Sequence, residues 1–123
     1  MSPDDLDLVQ RYYDAMRAGP DGHEALVALF AEDAVYVEPF SGVSRTHRGH
    51  AGIREMLRTS QADAPPDLVL MVHRIEVDAD GVIADWSCAS PVFPVPVHGT
   101  DRYVLVNGRI ARLETRFQGD PPE

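Results

Sequence analysis

The stretch from Phe30 to Pro39, FAEDAVYVEP, decides the fold. It reads as the end of a helix running into a short strand over residues 34–39. Strand side chains alternate, so Val35 and Val37 face one way and Ala34, Tyr36 and Glu38 the other. A carboxylate therefore closes an otherwise apolar strand, directly before a proline.

Upstream the pattern is helical. Ser2 is a capping residue, Pro3 suits a first helical position, and Asp4 and Asp5 suit the positive end of a helix dipole. Leu6, Val9, Tyr13 and Met16 follow at three- and four-residue steps, with Tyr12 on the flank of that stripe. Gly19-Pro20 ends the helix. Asp21 and Glu24 form a capping-box pattern for a second helix burying Leu26, Leu29 and Phe30.

Downstream, residues 40–48 (FSGVSRTHR) read as a loop. Gly49 to about Ser60 reads as a third helix burying Ile53, Met56 and Leu57. After Ala64-Pro65-Pro66 only strands are predicted, over about 68–78, 82–90, 97–106 and 109–117, with Asp80-Gly81 and Asn107-Gly108 as turns. Three prolines keep 91–96 out of any central strand. Helices first and antiparallel strands later give an α+β fold, helices packed on one face of a curved sheet. A bent sheet closed by helices makes a conical cavity, a natural place for a small molecule.

Composition narrows the partners. A chain of 123 residues with 44% hydrophobic and 25% charged residues is expected to form one domain, 1–123, around one core. A formal net charge of -9 repels polyanions, which argues against nucleic acid. No apolar run is long enough for a membrane span, and the acidic start MSPDDLD has no signal-peptide pattern, so a cytoplasmic protein is expected. Cys88 is the single cysteine, expected as a core thiol. His47 and His50, in RTHRGH, read as polar residues at a helix start; with no HExxH pattern and no cysteine partner, no metal site is expected.

Asp101 raises the same question as Glu38. It shares a strand face with Tyr103 and Leu105. A two-residue Asn107-Gly108 turn pairs it with Glu114, like charges opposed. A three-residue loop with Gly108 at positive φ sets it opposite Leu113 instead, exposes Arg112, Glu114 and Arg116, and is the expected register. Asp101 then lies in an apolar wall, where desolvation favours its neutral form and lets it donate a hydrogen bond. A second carboxyl that stays ionised nearby makes an acid–base pair.

The order and residues resemble the NTF2-like superfamily (its SnoaL-like branch), and within it the Δ5-3-ketosteroid isomerases. The resemblance rests on Val9-Gln10-Arg11-Tyr12, on the run Ala25 to Ala34 leading to Glu38-Pro39, on Gly49 to Glu55, and on Asp101 followed by an Asn-Gly turn and a strand ending Arg116-Phe117. It implies a cone of three helices on a strongly curved, mostly antiparallel sheet. It implies that Tyr12 and neutral Asp101 form an oxyanion hole, and that Glu38 stands where the family has its base, normally Asp. The implied reaction is a cofactor-independent allylic proton shift on an apolar enolisable ketone of the 3-oxo-Δ5 steroid type. Tyr36, Phe40, Met56, Trp86, Phe93, Leu113 and Phe117 are expected as the apolar wall. Leu57 stands where the family often has a supporting tyrosine. The alternatives are a SnoaL-like polyketide cyclase, an epoxide-opening hydrolase or other lyase of the same fold, and a small-ligand-binding module without chemistry. A homodimer is expected, because Val69, Met71, Ile75 and Val77 on one face and Leu68, Leu70 and Val72 on the other exceed what one core needs.

Overall fold

The computed structural model describes residues 3–39, 43–62 and 67–117. Ser2, Asp4's side chain and Phe40 lie outside what is described. Helix α1 (Pro3–Arg17) is followed by a 3-10 turn (Gly19–Gly22) and α2 (His23–Ala28), then strands β1 (Phe30–Glu38) and β2 (Arg45–Arg48), helix α3 (Gly49–Ala62), and strands β3 (Val69–Asp78), β4 (Gly81–Ala89), β5 (Val97–Val106) and β6 (Arg109–Phe117). The sheet runs β2-β1-β6-β5-β4-β3. Only the β1–β6 pair is parallel among the described strands. This is the expected α+β cone, with helices on one face of a curved, mostly antiparallel sheet.

The buried stripe of α1 is Leu8, Val9, Tyr12, Tyr13 and Ala15, so Tyr12 belongs to the core rather than to its flank. The second helix differs from its expected form. Its N-terminal position is Gly22, with no side-chain cap, so the Asp21/Glu24 capping box does not form. Gly22 is pressed against α1: a β-carbon there would stand 2.2 Å from the Ala15 carbonyl oxygen. Helix α2 is only six residues long, and Phe30 is the first residue of β1 instead of part of a helix.

Residues 45–48 are a strand, not a loop. They pair antiparallel with β1, Tyr36 opposite His47 and Glu38 opposite Arg45. Polar alternation sustains a strand here because Glu38 supplies a counter-ion to its inward side.

The hairpin before the chain end also differs. The turn is two residues, Asn107 at φ 53 and Gly108 at φ 77, the positive-φ pair of a tight type I′ hairpin. Val104 pairs with Arg112 and Leu105 with Ile110, leaving Ala111 as a bulge residue. The bulge moves the register so that Asp101 lies opposite Thr115, not Leu113 or Glu114. The like-charge clash is avoided by a bulge, not by a longer loop.

A second bulge falls at His73, between the pairs Val72–Trp86 and Arg74–Asp85. It turns Ile75 and Val77 to the same inner side as Leu70 and Val72, all packed on the core. The outer face of β3 therefore carries Val69 and Met71, each 54% exposed, and then charged residues. Residues 91–96 form the expected non-strand connection. No described helix is long and apolar enough to cross a membrane.

Candidate functional site

The inner face of the sheet carries a row of polar side chains across neighbouring strands. Tyr36 on β1 is level with Leu113 on β6, which pairs with Tyr103 on β5. Two residues further along, Glu38, Thr115 and Asp101 share that face. Glu38 is completely buried and Asp101 is 3% exposed.

Asp101 sits in a cage of hydroxyl groups. Tyr13 donates to Oδ2 at 2.6 Å, Tyr103 to the same oxygen at 3.3 Å, and Thr115 to Oδ1 at 2.6 Å. Burial pushes its carboxyl above the ordinary aspartate value, while the bonds from Thr115 and Tyr13 pull the other way. The indole N–H of Trp86 lies near enough to favour the charged form too. It completes no hydrogen-bond geometry, however, and is the one buried side-chain polar atom without a partner among the described residues.

Glu38 has a different environment. Arg45 donates to Oε2 from Nε at 3.0 Å, its Nη2 stands 3.0 Å from that oxygen in the ion pair, and His47 Nε2 meets the same oxygen at 2.8 Å. One carboxyl thus faces neutral hydroxyls and the other a permanent cation.

Tyr12 does not hydrogen-bond to Asp101. Its hydroxyl pairs with that of Tyr36 at 2.9 Å. Burial, then the neighbouring Tyr36 and Asp101, push the Tyr12 hydroxyl well above the ordinary tyrosine range. Burial also raises Tyr13 and Tyr36. The rings of Tyr12, Tyr13 and Tyr103 pack edge-to-face, with centroids 5.2–6.3 Å apart.

Of the expected wall residues, Tyr36, Met56, Trp86 and Leu113 are buried in the common core, and Phe117 packs against it half-buried. Phe93 is half-buried in the connection after β4, outside that cluster. Phe40 lies outside the described residues. A groove of about 480 Å³ opens between α1 and β3, with Gln10, Tyr13 and Arg17 on one side and Val72, His73 and Ile75 on the other. None of Tyr12, Glu38 and Asp101 lines it.

Sequence reasoning missed Tyr13, Thr115, Arg45 and His47. Tyr13 was legible as a core residue but not as a partner of Asp101. Arg45 and His47 were hidden by reading β2 as a loop. Cys88 is half-buried beside the core, its thiol pushed up by burial and then by Asp101. Among the described residues no three His, Cys, Asp or Glu side chains gather as a metal site.

The SnoaL-like domain family matches residues 9–113. No curated protein matches the chain. Among solved structures, the chain resembles a proposed polyketide cyclase from Sinorhizobium meliloti at 27% identity, covering 89% of this chain and 94% of that one, TM-score 0.74. It also resembles a proposed ketosteroid isomerase from Kribbella flavida at 23% identity, covering 98% and 83%, TM-score 0.73. TerC, co-crystallised with polyporic acid, shares 18% identity over 94% and 92%, TM-score 0.75. The last two likenesses speak to the fold alone.

Proposed function

The chain belongs to the SnoaL-like family, and within it we propose an acid–base enzyme that moves a proton along an enolisable, largely apolar ketone of the 3-oxo-Δ5 steroid type. The observation carrying this reading is the pair of inner-face carboxyls in unlike surroundings, Asp101 among hydroxyls and Glu38 beside Arg45 and His47. Carboxyls so divided take separate acid and base roles.

In the proposed reaction Glu38 removes a proton from the carbon next to the carbonyl. The electron pair moves onto the carbonyl oxygen as a dienolate. Neutral Asp101, helped by the tyrosine cluster, stabilises that oxygen by hydrogen bonding. Glu38 then returns the proton two carbons along, so the carboxylate is regenerated and no atom is gained or lost. Only proton transfer is required.

The test is the rise of conjugated-enone absorbance from 5-androstene-3,17-dione. Glu38→Gln keeps the shape and should lower the rate at least about a hundredfold, the scale of general-base catalysis. A fully folded parent with no isomerisation would sink the steroid reading.

A second reading, a cyclase in which Asp101 alone exchanges protons with an enolisable polyketide, is favoured by the ion pair that engages Glu38. It predicts that Glu38→Gln leaves turnover of such a substrate intact and Asp101→Asn abolishes it. In either case a homodimer through the outer face near Val69 and Met71 is proposed, and light scattering giving a monomer mass at micromolar concentration would reject it.

A further inference from the structure

The outer face of the sheet carries a second polar cluster, away from the buried carboxyls. Strand β3 is the edge strand beside β4, and β5 lies on the other side of β4. The bulge at His73 turns two consecutive residues of β3, His73 and Arg74, to this outer face, where they meet Ser87 and Asp85 of β4. His98 stands on β5 directly opposite Ser87. Both imidazoles are exposed, and Ser87 beneath them is buried. Their ring centroids are 6.2 Å apart, with the planes 26° from parallel. His73 Nε2 is 2.7 Å from Ser87 Oγ. That contact aims the nitrogen at the strand between the two histidines. Serine is short, and it leaves room above it between the two rings.

We propose that His73 and His98 together bind a divalent transition-metal ion, of which copper(II) fits best. An imidazole nitrogen binds such an ion at roughly 2.0–2.1 Å and the ring centroid lies about 1.1 Å behind it, so two rings on one ion have centroids at most about 6.4 Å apart. The 6.2 Å between these rings falls just inside that limit. The two nitrogens then face each other across the ion at a wide angle. Copper(II) accepts a tetragonal arrangement of this kind, and it binds nitrogen donors most tightly among the first-row divalent ions. The ion takes His73 Nε2 in place of Ser87, whose hydroxyl turns to a water on the metal. No third His, Cys, Asp or Glu joins the pair among the described residues, so water fills the remaining positions. Charge does not oppose the ion. Arg74, the neighbouring cation, lies 2.8 Å from Asp85 and 3.4 Å from Glu76, and a net charge of -9 favours cations. His47 and His50, by contrast, spend a ring nitrogen on Glu38 and on the Phe30 carbonyl oxygen. A bound ion ties edge strand β3 to β5 across β4, at the point where the bulge interrupts the β3–β4 ladder. The site is separate from the acid–base chemistry and does not rest on it.

Copper(II) chloride is titrated into an untagged Cys88→Ala parent, in which the single thiol is gone. It is also titrated into His73→Asn, His98→Asn and the double variant in that background. Trp86 directly precedes Ser87 on β4, so quenching of its emission by the paramagnetic ion follows binding. The parent should show saturable quenching. Each single variant should bind at least about tenfold more weakly, the scale of a lost metal contact. The double variant should show no saturable quenching. Electron paramagnetic resonance of the parent complex should carry hyperfine structure from two imidazole nitrogens. A double variant that binds like the parent, a parent with no saturable binding below about 1 mM, or a spectrum with a single imidazole nitrogen would each overturn the proposal. If the variants do not fold, the parent's amide signals decide. Broadening by substoichiometric copper(II) must centre on residues 73, 87 and 98, and broadening centred elsewhere overturns the site.

Discussion

The indole of Trp86 lies across Gly99, so close that a β-carbon on Gly99 would stand 2.1 Å from Cζ2. The two residues pair directly between β4 and β5, and the adjacent inward pair is Ala84–Asp101. The missing side chain at Gly99 is what lets the indole settle beside the buried carboxyl. Gly99→Ala should therefore push the ring away and destabilise the fold by about 1–3 kcal/mol, the cost of overpacking a core. Trp86 is the sole tryptophan, so its emission reports the site directly. An unchanged urea midpoint with an unchanged emission maximum would contradict this packing.

Asp101 gives a pH signature with a definite sign. Its folded value is raised above 3.8 by burial, so the native state holds this proton more tightly than the unfolded chain. Its contribution to stability is complete below the unfolded value and is lost as pH rises through the folded one. Asp101→Asn cannot ionise. Relative to that variant, the parent should lose stability with rising pH, beginning near 4, by at most about 1.4 kcal/mol per unit for one proton. Urea unfolding of both proteins over a pH series measures the difference. A gap constant with pH would mean that Asp101 is not held preferentially neutral.

Much of this was legible in the chain. Alternation placed Ala34, Tyr36 and Glu38 on one face of β1, and all three are buried. It also put Asp101 with Tyr103 in the wall. What alternation cannot see is a bulge. One extra residue at Ala111 reset the partner of Asp101 from either expected residue to Thr115, and one at His73 moved Ile75 and Val77 from the supposed outer face to the core. Bulges depend on how neighbouring strands fit, and a single strand does not record that. Strand β2 was hidden for a related reason. RTHR has no apolar alternation, and its inward residues are tied down by a carboxylate on another strand. Tyr13 read as ordinary core because its partner lies 88 residues away.

The Tyr12–Tyr36 bond makes a prediction about stability without chemistry. Both hydroxyls are buried and 2.9 Å apart. Tyr36→Phe strands the Tyr12 hydroxyl inside the core, which should cost about 1–3 kcal/mol. Adding Tyr12→Phe removes the stranded group, so the double variant should recover part of the loss. Strict additivity in that cycle would show that the two hydroxyls do not interact.

Arg45 and His47 both hold Glu38 by the same oxygen, Oε2, and this sets stability against reactivity. Removing Arg45 leaves a fully buried carboxylate that still meets His47 Nε2 at 2.8 Å. Breaking a buried pair costs about 3–5 kcal/mol when both partners are enclosed. The Arg45 side chain is 39% exposed, so solvent shares in its charge and about 1–3 kcal/mol is the expected loss for Arg45→Ala. The same change removes the guanidinium that occupies Oε2, which leaves that oxygen freer to meet a substrate proton. If Glu38 is the base, Arg45→Ala should unfold at lower urea yet isomerise 5-androstene-3,17-dione at least as fast per folded molecule. If Glu38 only ties β1 to β2, stability and turnover should fall together, because loosening the strand end disturbs the site without freeing a base. Urea midpoints and enone absorbance on the same preparations separate the two outcomes, and a joint fall would remove Glu38 from the mechanism.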